Sequence, residues 1–130
     1  IFHWLVAALT SINVSQNTLL ETLLCSSNNL TALNVSNNPL LEELNCNAND
    51  LTTIDVTQNT ALIELHVNAN PLSSFDVTQN AVLESLSCVA TGLTSLDVTL
   101  NPALVTLDCR SNSLADLDVS QNAVLEVLKG

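Results

Sequence analysis

The residues that could do chemistry in this 130-residue chain are four cysteines, two histidines and thirteen carboxylates, set against two basic residues. The cysteines, Cys25, Cys46, Cys88 and Cys109, stand at multiples of 21 residues from one another, and Val67 fills the gap in their series. Three fates compete for them. Free cysteine behaves as a small, buried hydrophobe, and a valine in the same column favours that fate. Disulfides between neighbours, Cys25–Cys46 and Cys88–Cys109, would have a permitted Cα spacing, but in-register parallel residues keep their Cβ atoms nearly as far apart, beyond the roughly 3.8 Å a disulfide prefers. A metal site fits worst, because a linear column does not converge four ligands on one ion as zinc requires.

The other reactive groups are no better placed for catalysis. His66 has no second histidine within motif reach, there is no Gly-x-Ser-x-Gly, and Gly92 and Gly130 are too few for a phosphate-cradling loop. Glu42 and Glu43 are adjacent on a strand, so they point to opposite faces and cannot share a substrate. No catalytic residues, no resident metal and no cofactor are expected, and the chain is read as no enzyme. Asp55, Asp76, Asp97 and Asp118 form a further column. Carboxylates about 4.8 Å apart repel by roughly 0.9 kcal/mol per pair even at the dielectric of water. Flanking Ser and Thr hydroxyls would soften this. Calcium between coils is the sharper alternative, since that ion favours carboxylate oxygens.

Composition narrows the partners. A formal charge of −11 with Arg110 and Lys129 as the only cations speaks against nucleic acid, whose binding needs basic side chains to displace counterions. It speaks equally against anionic membrane surfaces. No apolar run reaches the roughly 20 residues of a membrane helix, so no membrane insertion is expected. Ile1–Leu9 is apolar apart from His3 and is compatible with the tail of a signal-peptide core. A start without Met implies processing or a fragment.

All these columns rest on one repeat. Leu20, Leu41, Leu62, Leu83, Leu104 and Leu125 are 21 apart, as are the leucines from Leu23 to Leu128 and from Leu9 to Leu114. Valine recurs without exception at Val14, Val35, Val56, Val77, Val98 and Val119. Fixed self-similarity is the signature of stacked structural units. Each repeat has two halves, L-x-x-L-x-C-x-x-N as at Leu41–Asn49 and L-x-x-L-D-V-[ST]-x-N as at Leu51–Asn59. Both alternate apolar and polar residues, the strand period. Each coil is therefore expected to carry two short strands, one on each side of a thin core. Coils would stack in parallel about 4.8 Å apart, through right-handed crossovers. Asparagines follow both strands, in one column from Asn28 to Asn112 that Thr91 interrupts and in a complete one from Asn17 to Asn122. Asn offers a donor and an acceptor, so both columns are expected to satisfy turn backbones of neighbouring coils.

The phrases LTTIDVTQNTALIEL and LEELNCNANDLTTIDVTQN resemble the cysteine-bearing 21-residue repeats of bacterial leucine-rich-repeat proteins. They are similar to those of listerial surface proteins of the internalin family and of secreted flavobacterial proteins. The resemblance covers residues 9–128. It implies a leucine-rich-repeat solenoid, mostly strand and turn with little or no helix. It also implies a secreted or cell-surface setting and a role in adhesion.

The expected organisation is a degenerate N-terminal coil at 1–19, five repeats at 20–124 and a truncated sixth at 125–130. Phe2 would fall on the leucine column, and Trp4 and Gly130 on the cysteine column. Outward rows on the second half are monotonous, as in Thr53-Asp55-Thr57 and Ser95-Asp97-Thr99, whereas those on the first strand vary. Variation on one face over a constant core is how repeat proteins tune a concave binding surface. Glu43, Asn45, Asn47, Glu64, His66, Asn68, Asp108 and Arg110 are thus the candidate contacts for a protein or glycan ligand. An uncapped C-terminal end would also offer an open edge for self-association into filaments by end-to-end or lateral stacking.

Overall fold

The structure is a computed structural model and describes residues 8–130. The first half of each repeat forms a three-residue strand: β1 (Thr22–Leu24), β2 (Glu43–Asn45), β3 (Glu64–His66), β4 (Ser85–Ser87), β5 (Thr106–Asp108) and β6 (Val127–Lys129). The strands pair in chain order into one parallel sheet, and the register is the repeat itself, with Leu23 on Leu44 and Leu44 on Leu65. Backbone bonds extend the ladder past each strand: Glu42 N–H donates to Glu21 O at 2.8 Å, Cys46 N–H to His66 O at 3.0 Å and Ala48 N–H to Asn68 O at 2.8 Å. No helix occurs among the described residues.

The alternating pattern buries the central leucine of each inner strand. Leu44, Cys46, Leu51 and Val56 are fully buried, and their counterparts in adjacent coils continue one interior from Val14 to Cys109. This is the thin Leu, Val and Cys layer that the repeat predicts. The expected first coil lies partly outside the described residues, and so do Phe2 and Trp4. Within its described part, Val14 is buried and Ile12 packs against the core.

The second half of the repeat departs from expectation. It forms no ladder of strands, only an isolated bridge between Asn34 and Asp55. The residues that looked like strand alternation are spent on turns. Asp55 Oδ1 accepts the Thr57 amide at 2.9 Å and its hydroxyl at 2.7 Å. The Asn59 amide then returns to Val56 O at 3.0 Å. Short acceptors of this kind compete with secondary structure for local backbone amides. The carbonyl a neighbouring strand would use goes to a side chain instead: Asn59 Nδ2 donates to Val35 O and to Asn38 O, both at 2.9 Å. The same pair recurs at Asn38, Asn80, Asn101 and Asn122. One side of the solenoid is thus held by a backbone ladder and the other by an asparagine ladder. The Oδ1 atoms of these five residues are buried and receive no hydrogen bond among the described residues.

The first asparagine column works differently. Asn49 Nδ2 donates to Cys46 O and Cys25 O, both at 3.0 Å, while its Oδ1 accepts the Leu30 amide of the preceding coil at 3.0 Å. Thr91 keeps only part of this, donating from Oγ1 to Cys88 O at 2.8 Å. The Leu72 amide, which an asparagine at that place would receive, turns to Asn70 O at 2.9 Å. The following residue, Ser73, takes φ +62°. Before the column in each coil, Ser27, Ala48, Ala69, Ala90 and Ser111 sit in the left-handed region with φ of 57, 53, 52, 54 and 59°. L-residues with a Cβ pay roughly 1–2 kcal/mol there.

Candidate partner-binding face

From β1 to β5 the central leucine is buried between two flanking side chains, so the outer face of the sheet carries two residues per coil plus the second residue after the strand; in β6, Leu128 is exposed. Register places Glu43 beside Glu64 and Asn45 beside His66. Asn47 and Asn68 follow their strands. These six expected contact residues therefore lie together on two adjacent coils. Asp108 and Arg110 lie apart from them, with β4 and its Ser85, Ser87 and Val89 between.

Inside the first group the side chains divide by role. Asn45 Oδ1 accepts the Asn47 amide at 3.2 Å. Asn47 Oδ1 accepts the Asn68 amide of the next coil at 2.7 Å, and Asn68 Oδ1 accepts the Val89 amide and the Ser87 hydroxyl, at 2.6 and 2.8 Å. These carbonyl ends extend the ladder and hold the rim of the sheet. Glu43, Glu64 and His66 are freer. His66 Nε2 lies 3.3 Å from Glu64 Oε2, and the Glu43 carboxylate belongs to the neighbouring strand position. The result is a small acidic patch with one imidazole, on a rigid backbone.

The second group is an ion cluster. Arg110 grips Asp108 with two bonds, Nε to Oδ1 at 2.9 Å and Nη2 to Oδ2 at 2.8 Å. Lys129 Nζ stands 4.0 Å from the same Oδ2. The Arg110 hydrogen bonds, assisted by its charge and that of Lys129, hold the Asp108 carboxyl below its usual range, and Asp108 in turn raises Arg110. Asp108 is itself buried, at 9% exposure. The chain's only two cations therefore gather around one carboxylate. Sequence reasoning missed Lys129 as a member, though its place 21 residues after Asp108 was the available signal.

The cysteines are enclosed, and the aspartates of the L-D-V column are held by hydrogen bonds. All four cysteines are free and buried. Burial pushes the Cys46 thiol up to about 12, with Cys25 adding to it, and the Cys88 thiol also to about 12, with Cys109 and Asp108 adding. A thiol so raised is a poor nucleophile at neutral pH. In the aspartate column, Asp55, Asp97 and Asp118 are held below their usual value by hydrogen bonds from Thr57, Thr99 and Ser120. No three His, Cys, Asp or Glu residues gather into a metal-binding group among the described residues. A hollow of about 350 Å³ on the second-half side is lined by Ala32, Leu33, Asn34, Ser36, Thr53 and Asp55, which include one titratable group and no pair for acid–base work. Among the described residues, no helix is long and apolar enough to cross a membrane.

Comparison with solved structures agrees with this architecture. The functional domain of InlJ from Listeria monocytogenes, described as including a cysteine ladder, is 36% identical at a TM-score of 0.77, over 94% of this chain and 32% of that one. A leucine-rich-repeat protein from Leptospira interrogans is 28% identical at 0.82, over 88% and 32%. An internalin (inlF) from Listeria monocytogenes shares the fold at 24% identity and 0.83, over 92% and 38%. The chain thus spans about a third of the length of each. No protein-family model and no curated protein matches it.

Proposed function

We propose that this chain, a leucine-rich-repeat solenoid with bacterial proteins for structural neighbours, is a non-catalytic binding module of a secreted or cell-surface protein. It contacts a protein or glycan through the outer face of its sheet. The observation that carries this reading is the contrast within one strand: the buried leucine is constant from β2 to β5, while the pair flanking it changes from Glu-Asn to Glu-His to Ser-Ser to Thr-Asp. A core that repeats and a face that does not is the economy of a recognition scaffold. Glu43 and Glu64 supply carboxylate contacts and His66 an imidazole. Arg110, its Nε and Nη2 fixed on Asp108, offers a ligand the remaining N–H groups of its guanidinium.

The test presents the parent chain, a Glu43→Ser/Glu64→Ser/His66→Ser variant and a Thr53→Ala/Ser95→Ala variant to a glycan array and to an array of extracellular protein domains. Spots bound by the parent are expected to vanish with the strand-face variant and to persist with the other. Spots that survive loss of the three strand-face side chains would refute the assignment.

A further inference from the structure

The strand face is bordered by a second continuous surface, the edge where each coil turns into its strand. There the Leu41 amide donates to Asn38 O at 3.1 Å and closes a four-residue turn, and the same bond recurs from Leu20 on Asn17 to Leu125 on Asn122. The third residue of this turn is its apex, filled by Leu19, Leu40, Ala61, Val82, Ala103 and Val124. Turn apices ordinarily carry Gly, Asn, Asp or Ser, yet this column holds no polar residue. Leu40, Val82 and Val124 are 44, 47 and 51% exposed. Leu100 adds to them: it occupies the apex of the preceding turn, where the other coils carry Gln or Asn, and is 55% exposed. Exposed apolar side chains aligned at every second coil, with half-buried Ala61 and Ala103 between them, point to a surface that is covered in use.

Charge decides what covers it. Two residues beyond the apex column stand Glu21, Glu42, Glu84 and Glu126, all exposed, with half-buried Ile63 and Val105 at the two intervening places. The same backbone ladder aligns them, through bonds such as Glu42 N–H to Glu21 O and Glu126 N–H to Val105 O. Arg110 and Lys129 are both drawn to Asp108 on the strand face, so no Lys or Arg among the described residues compensates this row. A second copy of the chain would bring −11 against −11, and an anionic lipid surface is repelled for the same reason. The complementary occupant has apolar side chains along one line and Lys or Arg along the next. The six strands span about 24 Å at the usual strand spacing, the length of a helix of about 16 residues.

We propose that this edge docks a basic amphipathic helical segment of a partner protein. Its apolar side chains rest on Leu40, Val82, Leu100 and Val124, and its cations lie over Glu42, Glu84 and Glu126. The probe is a fluorescent synthetic helix of about 18 residues, with leucines on one face and lysines on the other, titrated by anisotropy at physiological salt beside a scrambled peptide of identical composition. The amphipathic peptide is expected to bind at least about tenfold more tightly than the scrambled one. A Leu40→Ser/Val82→Ser/Leu100→Gln variant should lose that advantage, and Glu42→Gln/Glu84→Gln should weaken binding and flatten its salt dependence. The strand-face variant Glu43→Gln/Glu64→Gln should retain the preference for the amphipathic peptide, which separates this surface from the one above. Equal binding of the two peptides, or an apolar-edge variant that binds like the parent, would overturn the proposal. So would edge-dependent self-association in light scattering, or pelleting with zwitterionic vesicles, since each assigns the edge to another occupant.

Discussion

Replacing Cys46 and Cys88 by valine should remove most of this protein's sensitivity to alkali. Both thiols are fully buried, and burial raises them from an ordinary 9.0 to about 12. In the unfolded chain they lose their protons near pH 9, while in the folded one they keep them. Between those values the folded state binds more protons, so stability is intact below pH 9 and falls as pH rises toward 12. Each thiol contributes a slope of about 1.4 kcal/mol per pH unit in that window. Integrated from pH 8 to pH 10, the two together remove about 3 kcal/mol, a large part of the roughly 5–15 kcal/mol that holds a domain folded. With a urea slope of about 2 kcal/mol/M, the unfolding midpoint should fall by about 1.5 M. The chain is well suited to the measurement: it has no tyrosine and one lysine, so the thiols dominate its alkaline titration. The double variant should fold, because Val67 already occupies the same column fully buried. Urea unfolding followed by circular dichroism, under reductant, from pH 8 to pH 10, is the assay. A double variant whose midpoint falls as steeply as the parent's would refute the argument that desolvated thiols set the alkaline limit.

Three further outcomes follow from the ladders and turns. Asn80→Ala should cost about 1–3 kcal/mol, because it removes the two bonds that tie Nδ2 to the preceding coil, Val56 O at 3.1 Å and Asn59 O at 2.8 Å, while each carbonyl keeps its own backbone donor; denaturant unfolding checks it, and a cost below the lower figure would deny the side-chain ladder its structural weight. Ala48→Gly should raise the melting temperature by about 2 °C, since Ala48 sits at φ +53°, where glycine carries no steric penalty; a lower melting temperature would contradict this. Hydrogen bonds from Thr57, Thr99 and Ser120 lower the carboxyls of Asp55, Asp97 and Asp118. Their small stabilising effect is therefore complete above the unfolded pKa and lost as pH falls through the lowered folded values. Read as turn caps, these aspartates should give the same melting temperature in chelator and in millimolar calcium, and a rise of several degrees with calcium would reassign the column to the ion.

The residues themselves determined the period, the identity of the core and the place of each cysteine. A 21-residue recurrence of Leu, Val and Cys admits a stack of equal layers, and in such a stack identical positions become neighbours. The asparagine columns were legible for the same reason, because an amide side chain at a turn has the neighbouring turn as its partner; that the complete column uses its donor and leaves Oδ1 without a partner among the described residues was not. Alternation alone could not distinguish a strand from a turn in the L-D-V half. Only the fold showed that Asp55 captures its own Thr57 amide and that Asn59 captures the carbonyls a second ladder would have used. The strand face was legible as a set of outward positions, but not in its chemistry. That Asn45, Asn47 and Asn68 are bound into the rim, and that Asp108 gathers Arg110 and Lys129, depends on side-chain reach, within a coil for Asn45 and Arg110 and between coils for Asn47, Asn68 and Lys129. The apolar edge was invisible for a simpler reason. Leu40 and Val82 read as core in a list of hydrophobic residues, and only the closed turn beneath them, fixed by a backbone bond three residues long, turns them toward water.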